Sequence, residues 1–312
     1  THTSGLPPYA PVSELQEKYG SPNPKGLMEY ISTCKREFKP QTKFQYSCLN
    51  YITLQHIIET ITGQSLRDFA KENIFDILGM QYTDYLPTIQ QQDGKWINTV
   101  ACPWMDRIAP TEKQKDGSVL CGQVHDPLAR ILNGGISGNA GIFSNANDIG
   151  ILAAALLNGG EYNGRRILSP LGVKTMCTVP RELTAFGRTP GWDIFSPYAS
   201  NKGDLFSPNT FGRTGYTGTS IIIDPDNDTA VILLVNAVHP EDRHSIVRLR
   251  SLVANAVAAS ICPPAQVYTD HYYKRFLQFE TETPISPKDI VMVGNSLTEN
   301  GGNWSKRLNK KN

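Results

Sequence analysis

The chain has 312 residues, 39% of them hydrophobic, and its 30 Lys and Arg residues nearly balance its 29 Asp and Glu residues. This length and composition allow one large domain or two ordinary ones with a buried core. A net charge of +1 gives no electrostatic basis for binding nucleic acid or an anionic membrane. Apolar runs such as AVILLV are far shorter than the roughly 18 residues that a transmembrane helix needs. We therefore predict a folded protein with no transmembrane segment and no nucleic-acid partner.

The cysteines are scattered and contain no C-x-x-C pair; they are Cys34, Cys48, Cys102, Cys121, Cys177 and Cys262. This spacing argues against a structural zinc site and against a dense disulfide framework. We predict no metal and no cofactor. The cysteine pattern does not decide between an oxidising and a reducing compartment.

The first two thirds of the chain carry helix signals. After an irregular Pro- and Gly-rich stretch over residues 1–45 with a short helix near KGLMEYIS, apolar residues at 54, 57, 58 and 61 have helical spacing. Ser65 and Asp68 are typical of a helix start, and Gly79 of its end. Further helices are predicted from about Asn147 and from Ser169, which Pro170 follows. These signals predict a mostly helical lobe over about residues 20–200.

The pattern changes after residue 205. SIIID and TAVILLVN are separated by the turn sequence PDND, which predicts a β-hairpin. The second run is apolar on both faces, which favours a strand inside a sheet over one at its edge. An amphipathic helix follows, with apolar residues at 246, 249, 253, 256 and 257. We therefore predict an α+β protein whose sheet hairpin and C-terminal helix occupy about residues 205–262.

Three blocks carry a family resemblance: KFQYSCLNYITLQHIIETITGQSLRDFAKENIFDILGMQYTDY, GGISGNAGIFSNANDIGILAAALLNGG and FGRTGYTGTSIIIDPDNDTAVILLVNAVHP. In this order and spacing they resemble the serine β-lactamase-like family, which includes class C β-lactamases, low-molecular-weight penicillin-binding proteins and related esterases. The resemblance covers about residues 1–262. It implies a β-lactamase/transpeptidase-like fold, with a helical lobe and an antiparallel sheet flanked by helices.

The resemblance also implies acyl transfer through a serine nucleophile. The family's Tyr-x-Asn motif is matched by Tyr46-Ser47-Cys48, so Tyr46 is the expected general base. A free phenol has a pKa near 10, so this role needs a neighbouring cation. Cys48 replaces the usual Asn, and a weak thiol donor there should impair recognition of a substrate amide. Cys48 is nevertheless expected to line the substrate site.

The family's Lys/His-Thr-Gly motif is matched by Arg213-Thr214-Gly215, which implies that these three residues bind substrate. Arg213 keeps a positive charge suited to a substrate carboxylate, but its guanidinium cannot act as a base. The backbone N–H of Tyr216 is the expected oxyanion-hole donor.

The family's Ser-x-x-Lys motif lies on a helix upstream of its THTSGLP-like segment, and in this chain that segment begins at Thr1. We therefore expect the N-terminal strands and nucleophile helix to be missing, and the flanking parts of the same polypeptide to be partners. Ser32 and Lys35 match the motif literally. Ser32 lies only 14 residues before Tyr46, and the motif has no evident buried helix around it, so we interpret this match as chance.

The C-terminal stretch DIVMVGNSLTENGGNW resembles the first block of SGNH (GDSL) esterases, with Ser296 as the nucleophile and Asn295 in place of the usual Asp. This resemblance implies a linker over residues 263–288 and the truncated start of an SGNH domain over residues 289–312. The other motifs of that family are not found after Ser296, so that site is expected to be incomplete.

Several other polar or Gly-rich features are better explained by structure than by catalysis. His125-Asp126 is expected to form structural hydrogen bonds, and Gly134, Gly135, Gly138 and Gly141 to pack a tight loop near the cleft. His239 and His244 are expected at the surface. Trp192 fits cleft lining and core packing equally well.

Two hypotheses about function remain. The first is a serine hydrolase acting on an ester or amide, with a small acylated or peptidoglycan-like substrate. The second is a non-catalytic ligand-binding or scaffold module, in which the replacements at Cys48 and Arg213 reflect the loss of catalytic activity. The family resemblance alone implies a periplasmic or secreted location. The identity of the substrate, including whether β-lactams are hydrolysed, stays open.

Overall fold

A computed structural model describes residues 1–243 and 245–261 of the chain. The α-helices of this part are α1 (Val12–Tyr19), α2 (Pro24–Thr33), α3 (Cys48–Thr62), α4 (Leu66–Ala70), α5 (Asp76–Leu78), α6 (Ala146–Leu157), α7 (Pro170–Met176) and α8 (Val247–Ser260). None of these helices is long and apolar enough to cross a membrane.

Short strands alternate with these helices. In chain order they are β1 (Asp84–Tyr85), β2 (Thr88–Gln90), β3 (Trp96–Asn98), β4 (Ile142–Phe143), β5 (Glu161–Tyr162), β6 (Arg165–Arg166), β7 (Phe211–Thr214), β8 (Ser220–Asp224) and β9 (Thr229–Leu233). Strand β1 pairs with β4, β2 with β3 and β5 with β6, all antiparallel. The region of residues 20–200 therefore contains three small ladders as well as the predicted helices.

Local capping explains where several helices begin and end. The Ser65 side chain accepts a hydrogen bond from the Asp68 backbone N–H at 3.1 Å, and α4 starts there as the sequence predicts. A π-turn over Lys71–Phe75 joins α4 to α5, which ends at Gly79 in the left-handed region with φ 74°. Ser169 caps α7 in the same way as Ser65 caps α4, with Pro170 as the first helical residue.

Helix α3 is confirmed, but its predicted apolar stripe is not the buried face. Leu54 and Ile61 are 51% and 79% exposed, whereas Leu49 and Ile52 are buried in a cluster with residues of α1 and α2. The physical reason is that α3 is apolar on more than one side, so spacing alone does not select the side that packs. Burying each Leu or Ile contributes about 1.5–3 kcal/mol.

The main sheet has the order β7-β8-β9, with Arg213 opposite Ile221 and Ile221 opposite Ile232. Within the described residues β8 is central and β9 lies at the edge, so the prediction that the second hairpin strand is internal was wrong. Both α6 and α8 contact β9. Apolar residues on both faces of a strand indicate that other elements cover the sheet above and below it. They do not indicate that the strand is hydrogen-bonded to a neighbour along both of its edges.

A Gly-rich loop packs directly against α3. An added Cβ at Gly138 would lie 2.0 Å from the Tyr51 carbonyl oxygen and 3.2 Å from Gln55 Cβ. The Gln55 side chain holds the same loop because its oxygen accepts hydrogen bonds from the Gly138 N–H at 2.9 Å and from Asn133 Nδ2 at 2.8 Å. This confirms the prediction that the loop packs tightly.

Replacing Gly138 with Ala should destabilise the fold by about 1–3 kcal/mol, because the new methyl group must displace α3 backbone. The measurement is the midpoint of urea unfolding. Gly150→Ala in the interior of α6 is the control, since its added Cβ would be 3.8 Å from the nearest atom, Ile232 Cδ1. That control should gain about 0.5–1 kcal/mol from helix propensity. Equal stability of the two variants would contradict the close approach at Gly138.

Candidate active site

Tyr46 lies on the extended segment before α3 and is half buried among aromatic rings. Its ring centroid is 4.2 Å from that of His2 and 5.2 Å from that of Tyr198. Burial raises the pKa of the Tyr46 phenol, whereas the positive charges of Arg213 and Arg188 act to lower it. The phenol is therefore protonated at neutral pH, and the cations reduce the cost of ionising it.

Arg213 on β7 faces the same aromatic cluster. Its guanidinium carbon is 5.3 Å from the centroid of the Tyr51 ring, and the Tyr51 ring in turn lies 5.3 Å from the His2 ring. The His2 ring thus contacts both Tyr46 and Tyr51. The structure therefore brings together the two segments that sequence motifs single out, at residues 46–48 and 213–216.

His2 fixes the start of α3. Its Nδ1 accepts a hydrogen bond from the Ser47 backbone N–H at 3.1 Å, and Ser47 Oγ donates to the Pro7 carbonyl at 2.6 Å. Burial lowers the pKa of His2 to about 2, with a further lowering by the charge of Arg188. The imidazole is therefore neutral, and its bond to Ser47 requires the tautomer with the proton on Nε2.

Cys48 is the first residue of α3. Burial raises the pKa of its thiol to about 11, and the nearby Asp126 carboxylate raises it further, against lowering by Asn139 and Arg213. A thiol with this pKa is almost wholly un-ionised at neutral pH and is a poor nucleophile. Asn139 Nδ2 donates to Asp126 Oδ1 at 3.3 Å, so an amide and a carboxylate border the Cys48 position.

The residues after Arg213 form a well-held turn. Thr214 ends β7 opposite Ser220, the Gly215 N–H donates to the Thr219 carbonyl at 2.8 Å, and Arg250 Nη2 donates to the Gly215 carbonyl at 2.8 Å. Within the described residues the Tyr216 backbone N–H has no hydrogen-bond acceptor. It is therefore available to a ligand oxygen, as an oxyanion donor must be.

The Tyr216 side chain lies at the rim and not in the interior. It is 76% exposed, stacks on the His125 ring at 5.7 Å between centroids, and donates from its hydroxyl to Asp242 Oδ2 at 2.5 Å. His125 Nε2 lies 3.1 Å from Glu112 Oε2. The loops that carry Glu112, His125 and Asp242 therefore meet at Tyr216.

A buried group that sequence motifs did not identify lies beside Arg213. Arg188 is 1% exposed, and its Nη1 donates to Asp193 Oδ1 at 2.7 Å. The Ser196 hydroxyl donates to the same oxygen. Asp193 exchanges two backbone hydrogen bonds with Gly212, of 3.0 and 2.9 Å, so this segment extends the sheet beside β7. The only sequence signal was an Arg and an Asp flanking Trp192, which is typical of many surface loops.

The remaining candidates have structural roles. Asp126 accepts hydrogen bonds from the Tyr9 hydroxyl at 3.0 Å and from the Ala129 N–H at 2.8 Å, so His125 and Asp126 hold separate partners and not each other. Trp192 packs on Phe211 in a core cluster, and His239 Nδ1 contacts the Thr111 carbonyl at 2.8 Å.

Of three further candidates, only Ser32 lies among the described residues. Ser32 is exposed on α2 and donates to the Glu29 carbonyl at 2.8 Å. Ser296 and His244 lie outside the described residues. In residues 1–243 and 245–261, no group of three or more His, Cys, Asp or Glu side chains could hold a metal ion.

Acidification should destabilise the wild-type protein through His2. The unfolded imidazole titrates near its ordinary pKa of 6.5, whereas the folded one titrates at about 2, so the unfolded state binds more protons below pH 6.5. Stability should fall by about 2 kcal/mol between pH 7 and pH 5 from this group alone. Urea unfolding at the two pH values measures this loss.

The variant His2→Asn should show a correspondingly smaller loss of stability between these pH values, whatever its stability at pH 7. The exposed His56 on α3 provides the matched control, because His56→Asn should keep the wild-type pH dependence. An unchanged pH slope in His2→Asn would show that His2 is not held neutral by burial.

Comparison with known proteins places this arrangement in a family. The family model described as beta-lactamase matches residues 1–255. A protein of Escherichia coli K12 named "Putative D-alanyl-D-alanine carboxypeptidase" is 33% identical over 254 residues. That alignment covers 76% of this chain and 56% of the relative, so the chain spans little more than half of the relative's length.

Solved structures show the same fold. A penicillin-binding protein homologue from Caulobacter crescentus superposes with a TM-score of 0.55 at 16% identity, over 82% of this chain and 69% of that one. A β-lactamase from Mycobacterium bovis superposes with a TM-score of 0.51 at 19% identity, over 83% of this chain and 71% of that one. The chain has a β-lactamase/transpeptidase-like α+β fold and belongs to the β-lactamase family.

Proposed function

We propose that this chain contributes the proton-transfer and anion-binding side of a serine acyl-transfer site that hydrolyses an ester or amide. The observation that carries the proposal is the meeting of Tyr46 and Arg213 around the His2 and Tyr51 rings. Membership of the β-lactamase family supports it. Tyr216 supplies an oxyanion donor from a turn that Arg250 and Thr219 hold in place.

The charge of Arg213 favours a substrate that carries a free carboxylate. Its side chain is 27% exposed, and a planar guanidinium can bind a carboxylate through two parallel hydrogen bonds. A peptide that ends in D-alanyl-D-alanine has such a carboxylate, and the E. coli relative is named for that substrate. We therefore assign a peptidoglycan-derived peptide as the substrate class, and we propose a periplasmic or secreted location.

In the proposed mechanism the Tyr46 phenol first loses its proton to solvent, and the resulting phenolate takes the proton of the attacking serine. Burial opposes ionisation of the Tyr46 phenol, so formation of the phenolate requires nearby positive charge to offset that cost. Arg213 and Arg188 provide part of that charge, and a lysine beside the serine would provide the rest. The developing oxyanion then accepts a hydrogen bond from the Tyr216 N–H.

We place the nucleophile on a Ser-x-x-Lys element outside the described residues. The literal match at Ser32 is exposed on α2, and its hydroxyl donates to a carbonyl of its own helix. Among the described residues no hydrogen bond joins the Tyr46 hydroxyl to a serine or a lysine. A phenol and a strand amide assist an attacking hydroxyl but do not replace it.

A fluorescent penicillin tests this assignment. The 312-residue chain should not be acylated, whereas a longer polypeptide that includes a Ser-x-x-Lys element should be labelled stoichiometrically. In the longer polypeptide Tyr46→Phe should slow acylation by about 10²–10⁴-fold, as expected for loss of a general base. Labelling of the 312-residue chain that disappears in Ser32→Ala would refute the assignment.

A second candidate is a ligand-binding module without catalysis. Two observations favour it: Cys48 stands where the family has an amide, and burial raises the pKa of Tyr46. In that case the anion-binding side alone keeps its role. Absence of acylation in the longer polypeptide, together with retained carboxylate binding, would select this candidate.

Carboxylate binding can be measured without turnover. Titration calorimetry with diacetyl-lysyl-D-alanyl-D-alanine and with its C-terminal amide should show tighter binding of the acid by about tenfold or more, the effect of one charge-assisted hydrogen bond. Arg213→Met should remove this preference. Arg36→Met, at an exposed arginine on the loop after α2, should keep it. Equal affinities for acid and amide in the wild type would contradict the proposed carboxylate site.

A further inference from the structure

One carboxylate lies between two guanidinium groups in the candidate site. Asp193 Oδ1 accepts a hydrogen bond from Arg188 Nη1 at 2.7 Å, whereas Asp193 Oδ2 lies 3.9 Å from Arg213 Nη1. The first contact is a charge-assisted hydrogen bond, and the second is longer than any hydrogen bond. Arg188 is therefore hydrogen-bonded to one oxygen of Asp193, and Arg213 faces the other oxygen at the long limit of an ion pair.

Burial explains why the Asp193 carboxylate needs a cation close to it. The Asp193 and Arg188 side chains are 4% and 1% exposed, so the carboxylate needs a cation close by to offset the loss of its hydration. Without Arg188, the only other guanidinium near the carboxylate among the described residues is that of Arg213. Its side chain would then turn to form a bidentate pair with Asp193.

Asp193 cannot move away to avoid this outcome. Its backbone exchanges two hydrogen bonds with Gly212, the residue before Arg213, and its carboxylate also accepts a bond from Ser196. The sheet therefore holds the backbone of Asp193 beside that of Arg213 whether or not Arg188 is present.

Arg213 forms an ion pair with Asp193 at 3.9 Å but no hydrogen bond among the described residues. Its Nη1 is buried and has no hydrogen-bond partner within residues 1–243 and 245–261, although the side chain as a whole is 27% exposed. The cation–π contact with Tyr51 uses none of the guanidinium N–H groups. Because Nη1 is buried, a ligand would meet the other N–H groups of the guanidinium, which form no hydrogen bond within the described residues.

We propose that Arg188 is a positioning residue that occupies Asp193 and so keeps Arg213 free to receive the substrate carboxylate. The inference rests on the proposed function of Arg213 as the anion receptor. It gives the buried Arg188–Asp193 pair a role in substrate selectivity, because losing Arg188 would neutralise the receptor within the protein. Arg188 does not touch substrate.

Chemical modification of arginine tests the inference without any substrate. The 312-residue chain is treated with p-hydroxyphenylglyoxal, and modification of Arg213 is followed by peptide mass spectrometry. In Arg188→Met the rate at Arg213 should fall about fivefold or more, because the guanidinium becomes paired with Asp193. In the double variant Arg188→Met/Asp193→Asn the rate should return to the wild-type value, since the competing carboxylate is gone.

One further variant and a control complete the design. Arg188→Lys should keep a near wild-type rate at Arg213, because an ammonium still pairs with Asp193. Modification of the exposed Arg36 should be the same in every variant. An unchanged rate at Arg213 in folded Arg188→Met, or a reduced rate that persists in the double variant, would overturn the inference.

A wild-type measurement covers the case in which Arg188→Met does not fold. Rotation about the guanidinium Nε–Cζ bond, followed by ¹⁵N nuclear magnetic resonance, should be slow for Arg188 and fast for Arg213. Slow rotation at Arg213 would show that it is already paired and would refute the proposal. Neither measurement depends on the peptide titration, so loss of carboxylate preference in the wild type would count against the proposed function alone.

Discussion

The buried carboxylate of Asp193 is the point on which the arrangement of the candidate site depends. Its backbone extends the sheet beside β7 through Gly212, and its side chain accepts hydrogen bonds from Arg188 and Ser196. The segment that carries Arg188 is thereby fixed against the strand that carries Arg213. The aromatic contacts with Tyr51 and His2 then connect this strand to the segment of Tyr46.

The same arrangement leaves the site with more positive than negative charge. Two guanidinium groups face one carboxylate, and Arg188 Nε and Nη2 are buried without a hydrogen-bond partner among the described residues. The unpaired buried donors cost free energy, and the net positive charge of the site favours an incoming anion at Arg213. The excess charge also acts on the two titratable groups next to it. It adds to the effect of burial in keeping His2 neutral, and it works against the effect of burial on Tyr46.

Local features of the fold follow from the sequence, because they depend on residues close together in the chain. Ser65, Ser169 and Gly79 mark helix ends through their own backbone and side-chain chemistry, and the hairpin of β8 and β9 follows from its turn residues. The side of α3 that packs and the edge position of β9 do not follow in this way. The buried side of α3 and the position of β9 depend on which elements, distant in sequence, pack against them. An apolar residue favours burial but does not specify which element buries it.

The candidate site likewise contains some residues that the sequence identifies and others that it does not. The motifs at residues 46–48 and 213–216 indicate the chemistry of the site, and the structure brings them together, while their catalytic roles stay predictions. Arg188 and Asp193 carry no signal in the sequence, because their importance arises from burial beside β7 and not from spacing. His125 and Asp126 show the converse case: they are adjacent in sequence, but each one bonds elsewhere.

The residues proposed for proton transfer and for anion binding lie on different elements, and different physical effects act on them. Tyr46 and Cys48 flank the start of α3, where burial raises the pKa of both groups and so opposes their ionisation. Arg213 lies on β7, where pairing between its neighbours keeps it free and where no proton has to move. Replacement of the family's Asn by Cys48 changes the α3 side, where it is expected to impair recognition of a substrate amide, and leaves the carboxylate receptor on β7 unchanged. A relative could therefore lose its chemistry and keep its ligand, which is why catalysis and recognition have to be measured separately in this protein.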